Sequence, residues 1–174
     1  MAQGKRNDPV LEPTEVDKAY AAGFIDGEGT IYVRNQAARP DHRARGWRTS
    51  AYALLVVPQV DPRTLQWMQV RWGGAIRQVK RRSEKRPNDR DAWEWNCSAR
   101  QAYKLLHDVL PFLRDKRPQA VNALRLEAMK RARGQTGWSR PVSEEGLSMQ
   151  AEITAEARRL NQLRPEWHEL PGAF

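Results

Sequence analysis

The chain has 174 residues and a formal net charge of +9, from 30 Lys and Arg against 21 Asp and Glu. That length suits one domain with a short extension, and no apolar run approaches the roughly 20 residues of a membrane span. The segment 1–7 is polar and lacks a signal-peptide core, and one cysteine, Cys97, excludes an internal disulfide or a Cys-rich zinc site and fits a reducing, cytoplasmic setting. The basic balance points to a polyanionic partner.

Residues 1–12 read as a flexible arm. Thr14 can cap a helix, and Glu15 and Asp17 suit its positive pole. No strong breaker follows until Gly27 and Gly29, so the first helix is expected over about 14–25. Asp26 and Glu28 then fall at the electronegative end, where each carboxylate costs roughly 0.3–1 kcal/mol. The unpaired carbonyls of the last turn point the same way. A divalent cation resolves that conflict, because it takes hard oxygen ligands from carboxylates, carbonyls, water and phosphate. Ala19, Gly23 and Gly27 recur four residues apart and leave one helical face bare enough for a second helix to approach closely.

Residues 30–36 alternate as a strand, with Ile31 and Val33 on one face and Thr30, Tyr32, Arg34 and Gln36 on the other. A basic loop carrying Arg39, Arg43 and Arg45 leads to a second strand over 48–57, expected to stop before Pro58. Asp61 and Pro62 are a good N-cap and first turn for a helix reaching Trp72, with Leu65, Met68 and Trp72 inward and Gly73-Gly74 as its stop. A third strand follows over 75–80. A charged turn with Arg81, Arg82, Lys85 and Arg86 precedes the fourth strand, 91–98, where Trp93 and Trp95 share a core face. Ser98 is expected to cap a helix to about residue 110; further helices are expected over 118–133 and 143–163, separated by a linker. The order is αββαββα plus C-terminal helices, an α+β fold with a four-stranded antiparallel sheet and helices on one face. Its bare face carries polar and basic residues, and strands can read base edges in the DNA major groove.

Ala21 to Gly29, AAGFIDGEG, resembles the motif of the LAGLIDADG homing endonucleases. Leu65-Gln66-Trp67 with Gly73-Gly74, and the stretch Pro111 to Ala120, PFLRDKRPQA, resemble further family segments. The likeness spans about residues 14–133, so the chain is divided into an arm (1–12), an endonuclease core (13–133), and a linker, C-terminal helix and tail (134–174). It implies a saddle-shaped sheet over duplex DNA and a divalent-metal-dependent, sequence-specific double-strand endonuclease using Mg²⁺, or Mn²⁺ or Ca²⁺ in its place. Chains with one motif resemble half an enzyme, so the likeness implies a homodimer through Ala19, Ala22, Gly23 and Gly27 and a pseudo-palindromic site. Glu28 matches the acid that holds metal, where the family more often has Asp; Gly27 offers its carbonyl, and Asp26 matches the first acid, more structural in the family and a further candidate ligand here.

Lys116 matches the basic residue near the catalytic water. Asp61 matches a water-positioning polar residue and reads equally well as a helix cap. Thr30, Tyr32, Arg34 and Gln36 are the leading DNA-reading residues, followed by Arg48, Ser50, Arg77 and Lys80; Arg81 and Arg82 suit phosphates. The likeness also admits an organellar or phage-encoded origin, and two other functions: a maturase-like protein binding intron RNA, or a DNA-binding protein that no longer cuts.

Overall fold

The computed structural model describes residues 8–36, 50–80, 91–132 and 143–162. Helix α1 (Glu15–Glu28) opens with a complete capping box: Thr14 Oγ1 accepts from Asp17 N, and Asp17 Oδ2 accepts from Thr14 N. The Thr14 bonds hold the Asp17 carboxyl below its ordinary range. The helix runs three residues further than expected and takes Asp26 and Glu28 into its last turn. Gly29 ends it by close approach. A Cβ there would lie 2.9 Å from the Ile25 carbonyl oxygen, while its backbone is extended (φ −81°).

Strands β1 (Thr30–Gln36), β2 (Ser50–Gln59), β3 (Ala75–Val79) and β4 (Ala92–Ser98) form one antiparallel sheet in the order β1-β2-β4-β3. The expected element order holds among the described residues. Strand β2 passes through Pro58 rather than stopping before it. Its pairing with β1 begins at Thr30–Val56, so beyond Val56 only β4 lies beside it. A missing donor is tolerated where the sheet has an edge.

Helix α2 (Arg63–Trp72) buries Leu65, Met68 and Trp72. It stops at Gly73 and Gly74, both at positive φ (74° and 88°). Gly73 O accepts from the indole of Trp95 at 2.8 Å, and a Cβ on Gly74 would sit 2.7 Å from that same indole nitrogen. The glycine pair therefore makes room for the fully buried Trp95.

Ser98 does not cap the next helix. It stays in β4, and Ala99 turns the chain into α3 (Arg100–Val109) at φ 52°, with no side-chain cap. Ala99 N donates to Ala53 O at 2.9 Å, which anchors this uncommon backbone conformation to β2. Helices α4 (Arg117–Ala132) and α5 (Glu144–Gln162) complete the chain.

Ile31, Val33, Ala53, Leu55, Val57, Trp95 and Cys97 face the helices and form one core with Ile25, Leu106 and Leu126; α5 adds Ile153 and Ala157. Trp72 and Trp95 are core residues, and Trp67 and Trp93 pack against that core. Part of the segment read as a flexible arm is tied down: Val10 N donates to Val70 O at 2.7 Å, and Lys104 Nζ pairs with Glu12. Among the described residues no helix is long and apolar enough to cross a membrane.

Candidate active site and nucleic-acid interface

The C-terminal end of α1 is held by a segment about 90 residues away in sequence. Asp26 Oδ2 accepts from Arg114 N at 2.8 Å, and Asp26 Oδ1 accepts from Lys116 N at 2.9 Å. The Lys116 ammonium donates to the Asp26 carbonyl oxygen. That carbonyl is one of those the helix leaves unpaired, and a cation at this pole is favoured. Both carboxylate oxygens of Asp26 thus serve the turn before α4. The residue acts as a brace, which fits the structural role expected of the first acid.

Replacing Asp26 with Ala leaves two backbone N–H groups without acceptors and unties Lys116. The variant is expected to lose about 1–3 kcal/mol of stability in urea unfolding, and an unchanged midpoint would contradict the brace.

Glu28 differs from Asp26 in its partners. It is exposed and makes no hydrogen bond or ion pair with the described residues. No basic residue lies in the last turn of α1 to offset it. Gly27, also exposed, adds a backbone carbonyl beside it. A free carboxylate with an unpaired helix-end carbonyl is a hard oxygen donor set, and it fits a divalent cation. It is a partial set: among the described residues no three His, Cys, Asp or Glu side chains cluster as metal ligands do.

Asp61 is committed elsewhere. Its Oδ1 accepts from Arg63 N at 3.0 Å, while Oδ2 takes the Arg63 guanidinium at 2.5 and 2.8 Å; the helix starts one residue later than expected, with Pro62 rather than Asp61 at its N-cap. The Arg63 hydrogen bonds lower its pKa. Both its oxygens thus serve Arg63, from the position before the N-cap.

Gln59 was passed over in the sequence. It closes β2 three residues beyond Val56, the partner of Thr30, and so extends past the start of β1 toward the end of α1. The available signal is its phase: Ala51, Ala53, Leu55 and Val57 alternate into the core, and the next position in that series is polar.

The sheet face away from the helices gathers most of the residues expected to read DNA. Register places Gln36 opposite Ser50, Arg34 opposite Tyr52, and Thr30 opposite Val56, which in turn pairs with Asn96. Arg34 and Gln36 are exposed, and Thr30, Tyr32 and Ser50 partly so. The Arg34 guanidinium carbon lies 5.4 Å from the centre of the Tyr32 ring. Arg77 shares this face but is paired with Glu94 on the adjacent strand, its Nε donating at 2.7 Å. Lys80 is exposed just past β3. Arg48, Arg81 and Arg82 lie outside the described residues.

On α1, Ala19, Gly23 and Gly27 are exposed and a Cβ added at either glycine meets no heavy atom within 4 Å. Val16 and Tyr20 flank them and remain 79% and 54% exposed. Ala22 does not belong to this stripe; it is fully buried in the chain's own core.

No protein-family model matches the chain, and no curated protein matches it. Solved structures do. The homing endonuclease I-CvuI, crystallised with its target in the presence of calcium, superposes with a TM-score of 0.63 at 21% identity, over 87% of this chain and 85% of that one. The archaeal intron-encoded homing endonuclease I-Vdi141I, complexed with DNA, gives 0.59 at 13% identity, over 90% and 89%. LAGLIDADG meganuclease I-AabMI, bound to uncleaved DNA, gives 0.52 at 16% identity, over 80% of this chain and 45% of that one. The fold is that of the LAGLIDADG homing endonucleases. The chain therefore matches I-CvuI and I-Vdi141I over most of their lengths and spans about half of I-AabMI. Within this fold, the AAGFIDGEG segment occupies the last turns of α1, leads directly into β1, and is buttressed by the Lys116 segment.

Proposed function

We propose that the chain is one half of a divalent-metal-dependent, sequence-specific DNA endonuclease, acting as a homodimer on double-stranded DNA. The observation that carries this reading is the unpaired Glu28 carboxylate at the negative pole of α1, in the same last turn whose Asp26 carbonyl takes the Lys116 ammonium. A folded chain has no stability reason to keep an acid at that pole without a basic residue in the same turn. The donor set suits Mg²⁺, with Mn²⁺ or Ca²⁺ as substitutes. A partial set on each copy fits a dimer with two cleavage positions, where phosphate oxygens and water would supply the remaining ligands.

Bound there, a divalent cation supplies charge neutralisation on the phosphate and a more acidic water. Glu28 and the Gly27 carbonyl would hold it. Lys116 sets a positive charge beside the developing negative charge, and its half-buried position strengthens that interaction. Asp26 keeps these groups in register by fixing the Lys116 segment. Thr30, Tyr32, Arg34 and Gln36 face bases in the major groove, where Arg and Gln form bidentate contacts to guanine and adenine. The open stripe of Ala19, Gly23 and Gly27 packs on its counterpart across a two-fold axis, which makes the target pseudo-palindromic.

The test is incubation of the full chain with a library of duplex sites, with Mg²⁺ or with chelator. Cleavage of both strands at one long, roughly symmetric site, lost with chelator, is expected. Duplex binding without cleavage under every divalent metal would replace the enzyme with a DNA-binding protein. Preference for structured RNA over duplex would replace both with a maturase-like function.

A further inference from the structure

Helix α5 does more than close the fold. It runs along the free edge of β1 in the opposite direction to the strand. Thr154 Oγ1 donates to Asn35 Oδ1 at 3.2 Å near one end, and Asn161 Nδ2 donates to the Ile31 carbonyl at 2.9 Å near the other. Further in, Gln150 Oε1 accepts from Ala51 N at 3.1 Å. On its other side α4 holds α5: Asn122 Nδ2 donates to Ile153 O at 2.9 Å and Gln119 Nε2 to Leu160 O at 3.2 Å, and Ile153 and Ala157 enter the core.

Between β1 and the C-terminal half of α5 lies an open groove of about 190 Å³, lined by Tyr32, Val33, Ala157, Arg158, Asn161 and Gln162. Its floor is apolar, from the buried Val33 and Ala157. Its helix-side rim is Arg158 and, one turn on, Gln162, both exposed. Arg158 makes no ion pair or hydrogen bond with the described residues, so it takes no part in bracing. Its neighbour Arg159 is neutralised by a two-point contact with Glu156 at 2.6 and 2.7 Å. Across the groove stands Tyr32, with the guanidinium of Arg34 against its ring. Arg34 likewise has no carboxylate partner among the described residues. Two uncompensated guanidinium groups therefore border the same tyrosine, one on the open sheet face and one at the sheet's edge.

We propose that this groove takes a phosphate of the DNA backbone, held by Arg158 with Gln162 beside it, next to the base pair that Tyr32 and Arg34 face. The inference rests on the DNA-binding reading above and makes the C-terminal helix part of the contact surface. A phosphate fits better than a base edge because the groove lies at the sheet's edge, outside the row of strand side chains that reach into the groove of the duplex. A guanidinium fork with an adjacent amide matches phosphate oxygens, and contacts of this kind fix register on the duplex without reading sequence.

The test measures binding of the full chain to a selected duplex site and to a scrambled duplex, across a salt series, by fluorescence anisotropy. R158A is expected to weaken both by the same factor, about three- to tenfold at fixed salt, and to lower the slope of log K against log salt by about 1. R159A, which removes the same charge one residue on, is expected to change neither, because that charge is already paired. R158K should keep most of the salt slope. Thermal melting of each variant checks that the fold is intact. Equal affinity and slope for R158A and the unmodified chain would overturn this inference while leaving the DNA-binding reading in place. A loss confined to the selected site would overturn the phosphate assignment in favour of a base contact. No duplex binding by the unmodified chain would overturn both.

Discussion

E28Q is expected to abolish metal-dependent cleavage, by about 100-fold or more in rate, while duplex affinity in the absence of metal stays nearly unchanged. Gln is isosteric with Glu and keeps the helix propensity, so the substitution removes charge alone. Because Glu28 has no partner among the described residues, no hydrogen-bond network collapses when its charge goes. The acid also opposes the helix dipole, so the variant is expected to be more stable than the unmodified chain by about 0.3–1 kcal/mol. Lost cleavage together with a raised unfolding midpoint separates this prediction from simple unfolding. Metal-dependent cleavage retained at full rate in E28Q would remove Glu28 from the mechanism. E28D keeps the charge and withdraws it by one methylene; partial activity there would show that charge matters more than reach.

Those two acids also show where reading the chain alone runs out. Asp26 and Glu28 are chemically alike and two residues apart, and both sit at the same helix pole. What separates their roles is the arrival of Arg114 and Lys116, about 90 residues further on, whose N–H groups occupy both oxygens of Asp26 and leave Glu28 free. Local propensity carries no trace of that contact; only the family resemblance set Asp26 apart as the more structural acid. Where local chemistry dominates, the sequence was sufficient. The Thr14 cap, the alternation of 30–36 and the double glycine after Trp72 all stand as expected.

The misses share one cause, tertiary context overriding a local signal. Ser98 has the chemistry of a cap, yet the alternation that buries Trp95 and Cys97 carries the strand through it. Ala99 then makes the turn at positive φ, where its residue type gives no warning. Pro58 reads as a strand stop, yet it falls where β1 has already ended, so nothing needs its absent N–H. Ala22 shares the size of the stripe residues and differs only in facing inward.

G23L is expected to turn the dimer into monomers and to remove paired-strand cleavage, while leaving the fold of each chain intact. Within one chain a Cβ at Gly23 meets no heavy atom within 4 Å, so a larger side chain displaces nothing. Replacing a mid-helix Gly with Leu removes about 0.5–1 kcal/mol of helix penalty. The chain alone is therefore expected to gain stability, and any loss must arise between chains. A two-fold interface presents each substitution twice. With overpacking at about 1–3 kcal/mol per site, the dimer loses roughly 2–6 kcal/mol, which raises its dissociation constant by about 30-fold to more than 10⁴-fold. Sedimentation velocity over a concentration series reads this directly. The stripe of Ala19, Gly23 and Gly27 ends beside Glu28, so in the proposed dimer separating the helices would also separate the two acids. Binding to a half-length site should survive in G23L, since the reading face on β1 belongs to one chain. A monomer in the unmodified protein at concentrations where it cuts, or a G23L dimer as tight as the original, would move the interface away from this helix and leave its bare face unexplained.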